Sequence, residues 1–76
     1  MNVGQNIYYI TFQGDLYVYE IIDITEAHVI VAWTERKEVL TVFKREEAER
    51  LIKKYDTLEK AQEQANKRRN AILYGI

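Results

Sequence analysis

The sequence predicts an α+β domain, a four-stranded antiparallel meander followed by two C-terminal helices. Two observations carry this reading. Between residues 5 and 43 the chain falls into short runs of β-branched and aromatic residues, separated by polar breaks of three or four residues. That is the signal of strands joined by tight turns. After Phe43 the apolar period lengthens to that of a helix and charged residues crowd in. Connections this short favour pairing of consecutive strands.

The first strand is expected over Ile7–Phe12, with Tyr8, Ile10 and Phe12 as its inward face. Gln13-Gly14-Asp15 turns the chain back, because glycine takes positive φ cheaply and aspartate suits a tight hairpin. The second strand, Leu16 to Ile24, sets Tyr17, Tyr19 and Ile21 against Leu16, Val18 and Glu20. Its parity then slips, since Ile22 and Ile24 are apolar while Asp23 and Thr25 are polar. One inserted residue near Ile21-Ile22, a β-bulge, keeps the apolar face continuous and coils the sheet. The third strand sets Val29, Val31 and Trp33 against His28, Ile30 and Ala32. The fourth sets Val39, Thr41 and Phe43 against Glu38, Leu40 and Val42.

Both faces of the last two strands are largely apolar, which a sheet with one wet face does not show. Something must cover the second face. If Tyr17, Tyr19 and Trp33 fill the concave side, the first helix is expected to cover part of the Leu16/Val18 side.

The first helix is expected over residues 44–55. It opens on acids and closes on bases, as the helix dipole prefers. Ala48, Leu51, Ile52 and Tyr55 form its apolar stripe. The second is expected over residues 57–73, with Asp56 as N-cap, Glu59 at the third position and Gly75 beyond its end. Its stripe of Leu58, Ala61, Ala65 and Ile72 is thin, so its own domain should anchor it weakly.

Seventy-six residues allow one domain, spanning 1–76, that buries about 60–65% of its unfolded surface. Without cysteine no disulfide supports it, which fits a reducing compartment. No apolar run has the length of a signal peptide's core or a membrane span, so a soluble, cytoplasmic protein is expected. The net charge of −1 hides a division. Residues 1–43 carry a net −4 and residues 44–76 a net +3, giving an acidic sheet half and a basic helical half.

The strand meander ending in Phe43 runs at once into Lys44-Arg45-Glu46-Glu47-Ala48-Glu49. Over roughly residues 5–55 this resembles small uncharacterised proteins of bacteriophages and Gram-positive bacteria, in which an SH3-like β-barrel precedes a helix. The resemblance implies a four-stranded SH3-like meander and a phage or mobile-element origin. The second helix and the absence of proline are not part of that pattern.

Enzymatic readings begin without serine or cysteine, the commonest nucleophiles. His28, the single histidine, sits beside a turn with Glu26 as its nearest candidate orienting acid. A half-exposed strand-end histidine is the far commoner meaning of such a residue. Gly4, Gly14 and Gly75 are isolated and form no phosphate loop. No ligand spacing points to a metal or cofactor, and none is expected.

Two binding readings remain. Six tyrosines and a tryptophan exceed what so small a core needs, and aromatics anchor interfaces. The expected function is therefore a non-catalytic protein-binding module, an adaptor or inhibitor that occupies a protein partner. Leu16, Val18, Ile30 and Tyr9 are its candidate contacts, and a homodimer through the Leu16/Val18 face or the second helix is expected. The alternative is a nucleic-acid-binding protein using Lys60, Lys67, Arg68 and Arg69. Three consecutive bases fan around a helix, so at least two of residues 67–69 should face solvent.

Overall fold

A computed structural model describes residues 1–75. Its element order is β1 (Asn6–Ile10), β2 (Leu16–Ile24), β3 (His28–Trp33), β4 (Arg36–Lys44), α1 (Arg45–Lys54) and α2 (Leu58–Tyr74). The strands pair antiparallel in the order β1-β2-β3-β4, the meander expected. The sheet does not close into a barrel, so β1 and β4 are both edges.

Directly paired residues share a face, which makes the register a map of the two sides. Ile7 pairs with Tyr19, Tyr19 with Trp33, Ile21 with Val31, and Val29 with Phe43. This inner face builds the main core from Ile7, Ile21, Val29, Val31 and Phe43, closed by Ala48 of α1 with Leu51 and Ile52 packed alongside. The bulge falls between Ile21 and Asp23, where the parity slip placed it. Without it Ile24 would point outward. With it, Ile24 packs on the same core.

Two expectations need correction. Strand β1 ends at Ile10, and Phe12 is 86% exposed instead of facing inward. The chain is already turning there, since the Thr11 amide donates to the Asp15 carbonyl and the Asp15 amide to the Thr11 hydroxyl. The parity of β1 is the reverse of that expected: Ile7 and Tyr9 face inward, while Tyr8 and Ile10 pair with Val18 and Leu16 on the outer face. The second correction concerns α1, which covers the Tyr19/Ile21 face and not the Leu16/Val18 face. Its stripe follows directly from Phe43, an inner-face residue two positions before the helix begins.

The first turn of α2 is capped by Thr57, whose hydroxyl accepts from the Lys60 amide at 3.2 Å. Asp56 lies one position earlier and instead pairs with Lys60 Nζ at 2.9 Å. That hydrogen bond holds the Asp56 carboxyl below its ordinary range. Hydroxyl and carboxylate were both competent caps, and the backbone turns helical one residue later than an Asp56 cap requires. Thr57→Ala should lower stability by about 1 kcal/mol, checked by urea denaturation followed by circular dichroism.

Candidate interaction surface

The thin stripe of α2 has a use that side-chain size alone obscured. Ala61 and Ala65 are buried against Ile10 and Tyr55, with Tyr8, Leu16 and Leu51 at the margin of this second cluster. Small side chains let the helix backbone come close to the β1–β2 hairpin. Closest of all is Gly14, at φ +90°, where an added Cβ would stand 2.6 Å from the Ala65 carbonyl oxygen and 2.8 Å from the Arg69 amide nitrogen. Leu58 and Ile72, the large members of the predicted stripe, remain about half exposed.

Two of the four candidate bases complete this joint. Arg68 donates from one guanidinium nitrogen to the carbonyls of Ile10 at 3.0 Å and Thr11 at 3.3 Å. Arg69 donates to the Gly14 carbonyl at 3.4 Å and stands 3.8 Å from the Asp15 carboxylate. The remaining two point outward, each beside an acid one helical turn earlier: Lys60 beside Asp56 and Lys67 beside Glu63 at 4.0 Å. Arg68 and Arg69 both reach the hairpin, yet Lys67 and Arg69 keep side chains 69% and 56% exposed, so two of residues 67–69 face solvent as helical geometry requires. The four bases do not converge on one unpaired cationic strip. Arg68→Gln should cost about 1–2 kcal/mol through the lost carbonyl bonds. Lys67→Gln should change stability by less than about 0.5 kcal/mol. Thermal melts of both variants check the contrast.

The aromatic residues divide in the same way. Tyr17 lies 5.7 Å from Trp33 and 6.3 Å from Tyr19 between ring centroids, and Tyr19 meets the edge of Phe43 at 5.6 Å. These rings run along the inner face toward its open end. Tyr9 also belongs to this side, 6.0 Å from Phe43. It is 38% exposed and lines a groove with Ile10, Leu51, Tyr55 and Arg68. It therefore stands apart from the other three candidate contacts, which the register places on the outer face.

The outer face leaves an apolar surface uncovered on β4. One row across the sheet runs Glu20, Ala32, Leu40, and the next runs Asp23, Ile30, Val42. Val18 adjoins them, its carbonyl accepting from the Thr34 hydroxyl at 2.9 Å. Leu16, at the hairpin end, is half-buried under α2. Val18 and Ile30 are half-buried by their own neighbours, whereas Leu40 and Val42 are 57% and 58% exposed. Neither helix packs on these residues. Charged residues flank the patch: Glu20 and Asp23 on the acidic side, and Lys44 on the basic. Leu40 and Val42 belong to this face by strand alternation, although they are not among the candidate contacts. Their position on the edge strand is what leaves them bare.

His28 lies at the same end of the outer face, paired with Lys44, and is exposed. It lines a shallow surface groove with Glu26, Arg45, Glu46 and Glu49. Its hydrogen bonds among the described residues are made by its backbone, to Thr25. No group of three or more His, Cys, Asp or Glu side chains that could hold a metal ion occurs among the described residues. Nor is any helix among them long and apolar enough to cross a membrane.

Comparison of the chain with protein-family models, with curated proteins and with solved structures finds no match.

Proposed function

We propose that the chain is a non-catalytic protein-binding module, an adaptor or inhibitor that acts by occupying a protein partner with its outer sheet face. The observation that carries this is the outer patch of exposed Leu40 and Val42 beside half-buried Val18 and Ile30, in a 76-residue domain whose two helices are both spent elsewhere. Apolar patches rimmed by charge on small domains mark interaction sites. The rim is mainly acidic, so the partner is one with an apolar centre and basic residues around it. The junction at Phe43–Lys44 and its resemblance to small phage proteins support a phage or mobile-element role, in which a short inhibitor of a host protein is a natural product.

The test is capture from nuclease-treated lysate with the wild type and with Ile30→Lys. The new ammonium would sit opposite Asp23, a ready partner that should keep the fold intact. A protein captured by the wild type and lost with Ile30→Lys supports the reading. Capture of nucleic acid from untreated lysate, lost on Lys60→Gln with Lys67→Gln, would replace it with the nucleic-acid reading.

A further inference from the structure

The two edges of the sheet are treated differently. Edge strands expose unpaired backbone groups, which proteins cover, charge or interrupt to prevent unwanted pairing. At β1 the edge is covered. Its Ile10 carbonyl accepts from Arg68, and Leu51, Tyr55 and α2 pack around it. At β4 none of this happens between Leu40 and Phe43, a run of four residues without charge, proline or glycine.

The ladder shows which β4 groups are free. The Arg45 amide donates to the Ala27 carbonyl, flanking the His28–Lys44 pair. In an antiparallel ladder this makes His28–Lys44 a pair without direct bonds, and bonded and unbonded pairs then alternate. Phe43 and Thr41 therefore spend their amides and carbonyls on Val29 and Val31. Leu40 and Val42 turn theirs to the open edge.

We propose that β4 pairs with β4 of a second copy of this chain, antiparallel about a two-fold axis at Thr41, forming one continuous sheet across the dimer. Three features select this occupant and register. Leu40 then lies opposite Val42 of the other copy, so the outward amides and carbonyls of both strands meet donor to acceptor. Glu38 falls opposite Lys44 of the other copy, twice by symmetry, uniting opposite charges at both ends of the pairing. Shifting the axis to Leu40 instead sets Arg36 opposite Lys44, like against like. Shifting it to Val42 drives the partner strand past Lys44 into the start of α1. The ladder with β3 is interrupted between Arg36 and Leu40, so residues 37–39 leave β3 and Glu38 can reach Lys44 of the other copy.

The dimer goes beyond the function proposed above and stands or falls separately from it. It also joins the two outer patches, since Leu40 and Val42 of both copies become neighbours on one face.

Sedimentation equilibrium of the purified chain at tens of micromolar should give twice the 9.1 kDa chain mass. Glu38→Lys or Lys44→Glu alone should weaken the dimer about tenfold, by turning two attractions into repulsions. The double change should restore it to within about threefold. Val42→Pro removes an outward amide that β3 does not use, and should give a folded monomer by circular dichroism. A wild type that stays monomeric at several hundred micromolar overturns the proposal. So does a dimer indifferent to the single charge changes, or one that the double change fails to rescue. Ile30→Lys lies outside the paired strand, so loss of partner capture with an intact dimer separates the two proposals.

Discussion

Phe43→Ala is expected to lower stability by about 3–5 kcal/mol, enough to abolish cooperative unfolding in a domain of this size. Phe43 is 6% exposed and pairs directly with Val29. Its ring is held between those of Tyr9 and Tyr19, and it belongs to the cluster that receives Ala48 of α1. Removing the ring leaves a cavity where the last strand hands over to the first helix, so sheet and helix lose their joint contact together. Urea denaturation followed by circular dichroism checks this. A variant that unfolds cooperatively with less than about 1 kcal/mol lost would show that α1 is not packed on this face. Trp33, by contrast, is only half-buried at the open end of the inner face, so Trp33→Ala should cost less than Phe43→Ala.

Gly14→Ala is the second large effect. An L-residue at φ +90° is strained by about 1–2 kcal/mol, and here the added methyl also meets backbone atoms of α2 at 2.6 and 2.8 Å. Backbone cannot swing aside as a flexible side chain can, so the helix must move and the contacts of Ala61, Ala65 and Arg68 loosen with it. A loss of at least about 3 kcal/mol is expected. Gly4 supplies the control. Its φ of +93° is nearly the same, but nothing lies within 4 Å of the added Cβ, so Gly4→Ala should cost only the strain, about 1–2 kcal/mol. Equal losses at the two glycines would show that α2 does not dock on the hairpin.

The contrast between the two helices explains how far the sequence could be read. The strands, their order and the bulge at Ile21 were legible because β-branched alternation and a parity slip are local signals. The start of α1 was legible for the same reason, in the change of period after Phe43. Which face α1 covers was not, because Ala48, Leu51 and Ile52 fit either side of a sheet that is apolar on both. The docking of α2 was invisible in its own stripe. Its affinity for the hairpin comes from what is missing, side chains beyond Cβ at Ala61 and Ala65 and any side chain at Gly14. The signal lay 51 positions apart in the chain, between Gly14 and Ala65.

The candidate surface was legible to the same degree. Two apolar sheet faces and too little helix to cover both implied an exposed remainder, and Val18 and Ile30 fall within it. Tyr9 was assigned by residue type and belongs to the opposite side. Arg68 and Arg69 read as solvent-facing cations because consecutive bases on a helix cannot all turn toward its core. Here α2 lies over a turn whose carbonyls face it, and both guanidiniums are long enough to reach back.

The central claim is that the outer face and the β4 edge are unsatisfied within one chain and are what the molecule acts through. Amide hydrogen exchange, read residue by residue at about 0.1 and about 500 µM protein, tests it most directly. Thr41 and Phe43, bonded to β3, should be protected equally at both concentrations. Leu40 and Val42 should exchange rapidly when dilute and become protected when concentrated, as their outward amides find a second strand. Equal, rapid exchange of Leu40 and Val42 at both concentrations would contradict the account.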